Sequence, residues 1–137
     1  MAESVFVHIL KERGLSGEYV VSSAATHTEE LGNPPHRGTV QALRERGIPV
    51  VPHRARLLSL ADGDAWDYII GMDAENFRHM RRILGECYSN KISLLLDYTD
   101  TPRAIADPWY TGNFDETYGD IREGLEAFLA HLEKKRG

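Results

Sequence analysis

Asp67-Tyr68-Ile69-Ile70-Gly71-Met72-Asp73 decides the fold class of this 137-residue chain. Its centre is apolar at consecutive positions rather than alternate ones, the profile of a strand buried on both faces in a parallel sheet. Asp73 has the chemistry of a helix N-cap, and positions 74–84 then place Phe77, Met80 and Leu84 on one side of a helix. The next apolar run, Ile92 to Leu96, is a second strand.

Working outward from this strand–helix–strand unit, a long polar loop carries Asp97, Asp100, Pro102, Asp107 and Pro108. The chain then closes in a helix over about 115–134, with Tyr118, Ile121, Leu125, Phe128, Leu129 and Leu132 at helical spacing. Lys134, Lys135 and Arg136 suit the negative end of its dipole. Towards the N-terminus, residues 2–13 form an amphipathic helix with Val5, Phe6, Ile9 and Leu10 on one face and Gly14 at its stop. Tyr19 to Ser22 is a short β-rich run. Gly32-Asn33-Pro34-Pro35 is loop chemistry, Arg37 to Arg46 is a helix closed by Gly47, and 48–60 is irregular. Helices and strands alternate throughout, which predicts one α/β domain over 1–137. Its parallel sheet has right-handed crossovers and helices on both faces, making three layers. The pattern opens on a helix and shows only three strands, as if it began one strand late.

Composition restricts the function classes. A hydrophobic fraction of 42% and a charged fraction of 27% describe a globular protein long enough to bury a core. With a net charge of −5 the chain has no general attraction to nucleic acid or to anionic membrane. Arg78, Arg81 and Arg82 are expected as a solvated helix face. No apolar run reaches membrane-spanning length, and charge near the N-terminus interrupts any signal peptide. Cys87 stands alone, so a reducing, cytoplasmic setting is expected. The histidines show no metal spacing; His27 near Glu29 and Glu30 reads as a solvated loop.

The segment richest in chemistry is Ala106-Asp107-Pro108-Trp109-Tyr110-Thr111-Gly112-Asn113. Proline fixes the backbone beside the carboxylate. The two aromatics lower the local dielectric, raising an acid towards its working range, and offer a flat wall to a ring-bearing substrate. On the Asp-Pro dipeptide alone, a surface turn with a structural aromatic pair is the favoured reading, since Asp-Pro is a common turn element.

Four features stand in order along the chain: Met1-Ala2-Glu3-Ser4-Val5-Phe6; Ser23-Ala24-Ala25-Thr26 with Gly32-Asn33-Pro34; Asp67-Tyr68-Ile69-Ile70-Gly71-Met72-Asp73; and Asp107-Pro108-Trp109-Tyr110 with Phe114-Asp115-Glu116-Thr117-Tyr118. Together they resemble the low-molecular-weight protein tyrosine phosphatases of the bacterial branch, over essentially the whole chain. The resemblance implies the phosphotyrosine protein phosphatase I-like fold and hydrolysis of aryl phosphate monoesters through a cysteinyl-phosphate, without cofactor or metal. It implies Asp107 as general acid and base, and Trp109 and Tyr110 as the wall that selects aryl phosphates. Ser23 and His53 match positions that hydrogen-bond towards the nucleophile loop and hold its shape. Taken alone, His53 beside Pro52 reads as a surface histidine. Many relatives carry two tyrosines where Trp109-Tyr110 stands, so Trp109 is a mild departure.

The family's nucleophile loop has the form Cys-x5-Arg-Ser, then Pro, then a helix that starts near Met-Ala-Glu. Met1-Ala2-Glu3 is the first such element in this chain, so the resemblance implies that the opening strand and the loop lie upstream of residue 1. Cys87 cannot replace the loop's cysteine: the position six residues on is Ser93, not arginine, and the thiol follows a helix instead of preceding one. It is expected to be inert and partly buried. The chain as written is therefore expected to be inactive, and either poorly stable or paired with a second copy through exposed sheet edges. The partners implied are a phosphotyrosine protein or a small aryl phosphate. Other readings of the same scaffold are a non-catalytic phosphate- or protein-binding module, a protein-arginine phosphatase, and an arsenate reductase, the last opposed by the single cysteine.

Overall fold

The computed structural model describes residues 1–25, 37–51, 56–102, 105 and 114–136. Among the described residues, five α-helices and two strands follow one another: α1 (Ala2–Glu12), α2 (Arg37–Glu45), α3 (Leu60–Ala65), β1 (Ile69–Gly71), α4 (Ala74–Leu84), β2 (Ile92–Leu94) and α5 (Phe114–Arg136). Single 3-10 segments, Glu86–Lys91 and Leu95–Tyr98, flank β2. The expected parallel sheet flanked by helices is present.

β1 and β2 pair in parallel with Ile69 opposite Ile92, Ile70 opposite Ser93 and Gly71 opposite Leu94. Because side chains alternate across a sheet, this register divides the apolar residues between two layers. Ile69 and Ile92 face α4, where they pack with Met80, Leu84 and Leu58. Tyr68 and Ile70 pack on the other layer, whose core is built from α1 (Val5, Phe6, Ile9, Leu10), Leu43, Ile48, Leu95, Leu96, Ile105 and the inner stripe of α5. Phe128 is a hub of that layer: its ring meets Phe6 at 5.9 Å, Tyr68 at 5.2 Å and Tyr98 at 4.9 Å.

Local chemistry sets the element ends. The Asp73 carboxylate accepts the Asn76 N–H at 2.8 Å, the expected N-cap of α4. Gly14 and Gly47 adopt φ of +69° and +68°, and the residue after each donates back into its helix: Leu15 N–H to Leu10 O at 2.8 Å, Ile48 N–H to Leu43 O at 2.9 Å. Only glycine enters that conformation cheaply, so both helices stop where expected.

Three expectations are corrected. Tyr19 to Ser22 is not a strand; the parallel bridge nearby, Ala25 to Leu57, lies three residues beyond it. The second apolar run is a strand only to Leu94, because Asp97 accepts the Leu94 N–H at 3.0 Å and draws Leu95–Tyr98 into a 3-10 turn. Within the stretch read as irregular, Ser59 and Leu60 instead cap and open α3.

Candidate active site

Two places gather the segments that the sequence singled out. The first is the opening turn of α1. Ser23 donates its hydroxyl to Glu3 Oε1 at 2.6 Å, and the Val51 N–H donates to the buried Ser4 Oγ at 3.0 Å. Residue 51 immediately precedes Pro52-His53. Both stretches expected to support a nucleophile loop are thus tied to the N-terminal end of one helix, the end whose free N–H groups favour anions.

The second place is the C-terminal end of β1. The N–H of Ile105, itself buried, donates to Met72 O at 2.9 Å. That bond fixes the chain two residues before Asp107 at the strand end where open α/β sheets place their ligands. On the far side of the Asp-Pro-aromatic segment, Phe114 opens α5. Asp107, Trp109, Tyr110 and His53 lie outside the described residues; Ser23 is the one expected site residue within them.

Sequence reading missed a third feature. Asp62, on α3 and only 7% exposed, accepts five hydrogen bonds among the described residues, the longest from the Ser59 hydroxyl to Oδ2 at 3.5 Å. Arg56 supplies a two-pronged pair, Nη1 to Oδ2 at 3.1 Å and Nη2 to Oδ1 at 3.2 Å. The Ser59 N–H donates to Oδ2 at 2.9 Å and Trp66 Nε1–H to Oδ1 at 3.1 Å. Burial pushes the Asp62 carboxyl up, but the bonds from Arg56, Ser59 and Trp66 outweigh it and hold the group below the usual carboxylate range. The signal was available: Ser59-Leu60-Ala61-Asp62 has the capping-box spacing. Glu3 and Ser4 had no such signal, since their partners are far away in sequence.

Cys87 is exposed, not partly buried as expected, because it sits on the 3-10 segment Glu86–Lys91 at the surface. Arg78, Arg81 and Arg82 are exposed on α4. Among the described residues no group of three His, Cys, Asp or Glu side chains is placed to hold a metal ion, and no helix is long and apolar enough to cross a membrane.

The sequence model of the low molecular weight phosphotyrosine protein phosphatases matches residues 1–137. The chain belongs to that family. It is 41% identical to the Bacillus subtilis low molecular weight protein-tyrosine-phosphatase YfkJ over 138 residues, which covers 99% of this chain and 88% of the relative. Identity to the human low molecular weight phosphotyrosine protein phosphatase is 33%, covering 94% of this chain and 84% of the relative. The crystal structure of B. subtilis YfkJ superimposes with a TM-score of 0.94 at 39% identity, covering 99% of this chain and 87% of that one. A Drosophila arginine phosphatase of similar architecture superimposes with a TM-score of 0.83 at 30% identity, over 96% of this chain and 87% of that one.

Proposed function

We propose that this phosphatase-family domain hydrolyses aryl phosphate monoesters, phosphotyrosine among them, with Asp107 as its acid and base. The match to the family over residues 1–137 carries the reading. The anchoring of Ile105 on Met72 supports it, by holding the approach to Asp107 at the sheet's ligand end. In the reaction, a thiolate attacks phosphorus while Asp107 protonates the departing phenolate. The same carboxylate, now ionised, then takes a proton from the water that breaks the S–P bond and releases phosphate. Trp109 and Tyr110 form the wall against the substrate ring, and Ser23 and His53 steady the nucleophile loop.

The 137 residues contain no Cys-x5-Arg. These 137 residues therefore supply no thiolate or loop arginine of that form to grip the phosphoryl oxygens, and by themselves turn over no substrate. They form a cytoplasmic domain without nucleic-acid or membrane partners. Its short sheet leaves strand edges that would favour low stability or pairing with a second copy. The Trp109-Tyr110 pair favours an aryl substrate over a phosphoarginine one.

The test is made on a chain carrying a strand and Cys-x5-Arg loop of the family's form ahead of Met1. Asp107→Asn there should lower kcat by about 10²–10⁴, the usual share of general acid catalysis. The loss should be greater for phenyl phosphate than for p-nitrophenyl phosphate, whose leaving group needs less protonation. Equal losses on both substrates, or none, refute the acid's role.

A further inference from the structure

We propose that Asn76, on α4, is a positioning residue for the general acid: it holds the Met72 backbone, on which the chain leading to Asp107 is anchored. The inference deepens the phosphatase reading above and rests on it, adding a residue which that reading does not use.

Four residues form a relay from α4 to the β1 end. The Asp73 carboxylate accepts the Asn76 N–H at 2.8 Å, so the cap of α4 also fixes the backbone of Asn76. The Asn76 side chain turns back towards the strand, and its Oδ1 accepts the Met72 N–H at 3.1 Å. The Met72 carbonyl in turn accepts the Ile105 N–H at 2.9 Å. Met72 is the first residue after β1, and at that point Asn76 takes the N–H that a neighbouring strand would take inside a ladder.

The close approach of α4 is written into the sequence. A Cβ on Gly71 would lie 3.0 Å from Asn76 Cβ and 2.9 Å from Met80 Sδ. Met80 is buried, so Asn76 reaches the strand end only because residue 71 is glycine.

Ile105 is held twice. Its side chain is buried in the core shared by α1 and α5, and its N–H is bonded to Met72. Consecutive Cα atoms are 3.8 Å apart, so a fixed Ile105 confines the Asp107 Cα to within about 7.6 Å of it, whatever path the intervening residue takes. A proton donor works only within hydrogen-bond reach, and a misplacement of about 1 Å can cost on the order of a hundredfold in rate. Asn76 therefore acts on the acid through Met72 and Ile105, without touching substrate.

Amide exchange in the 137-residue chain reads the relay itself. Asn76→Ala should speed exchange at Met72 and Ile105 by about tenfold or more, while the β1–β2 amides keep their rates. Asn76→Asp keeps a side-chain acceptor and suits the first turn of a helix, so it should leave both amides protected. Alanine favours a helix more than asparagine does, so a loss in Asn76→Ala is not a loss of α4. The role is read in the chain carrying a strand and Cys-x5-Arg loop. There Asn76→Ala should lower kcat by about tenfold to a hundredfold, more for phenyl phosphate than for p-nitrophenyl phosphate, with KM within about twofold. In an Asp107→Asn background the same substitution should cost less than about twofold, because the acid it positions is already gone. Unchanged exchange at Ile105 overturns the proposal. So does a full further loss of kcat on top of Asp107→Asn. Silence from the wild-type chain with the loop overturns the phosphatase reading and this role with it, a failure distinct from the other two.

Discussion

Two glycines on α5 separate local helix propensity from packing. Gly119 is exposed, and a Cβ built there meets nothing within 4 Å. At Gly124 the same atom would lie 2.5 Å from Leu95 Cγ and 3.0 Å from both Leu95 Cδ2 and Leu96 Cδ2. Leu95 and Leu96 are each 1% exposed, so neither has room to retreat. Gly→Ala in a helix interior contributes about 0.5–1 kcal/mol of stability through backbone entropy. Gly119→Ala should show that gain. At Gly124 the gain is opposed by overpacking, about 1–3 kcal/mol in a filled core, so Gly124→Ala should come out about 0–2 kcal/mol less stable than wild type. The contrast between the two variants is about 1–3 kcal/mol on one helix with one substitution, and it reports how closely α5 lies on the turn after β2. Urea unfolding at pH 7 and one protein concentration measures it as a shift in midpoint at constant m. If Gly124→Ala stabilises as much as Gly119→Ala, the close contact between α5 and the Leu95-Leu96 turn is refuted.

Other outcomes follow from the caps and charges. Asp62 is held below its unfolded value of about 3.9, so its contribution is present above that pH and disappears as pH falls through the still lower folded value. Asp62→Asn should accordingly cost about 2 kcal/mol at pH 7 and progressively less as the pH falls below about 4, read from urea midpoints against pH. Asp73→Ala removes the side-chain acceptor for Asn76 N–H and should cost about 1 kcal/mol by urea unfolding at pH 7.

Legibility followed the range of the interaction. α4 and α5 were readable because a cap such as Asp73 and a stripe such as Ile121, Leu125, Phe128 and Leu132 lie within a few residues of what they organise. The Gly14 and Gly47 stops were readable for the same reason. Strand lengths were not. Tyr19 to Ser22 has strand composition, yet its pairing depends on what lies beside it, which composition does not encode. Leu95 and Leu96 are as apolar as a strand requires; one carboxylate, Asp97, turned them into a 3-10 segment. At the site, Ser23 was picked out only through its likeness to a family. Its bond to Glu3, and that of Val51 to Ser4, join residues 20 and 47 positions apart and leave no local pattern. Asp62 is the opposite case: its capping-box spacing was in plain sight, but spacing alone does not announce that Arg56 and Trp66 will share the same carboxylate.

The central proposal is that these 137 residues hold the acid half of a phosphatase reaction whose nucleophile half needs a Cys-x5-Arg loop that they do not contain. The most direct measurement is p-nitrophenol release by two purified proteins under identical conditions: the 137-residue chain, and the same chain preceded by a strand and Cys-x5-Arg loop of the family's form. The account predicts no release above background from the first and steady turnover from the second, abolished when the loop's cysteine is replaced by serine. Turnover by the 137-residue chain itself, or silence from a folded chain that carries the loop, would contradict it.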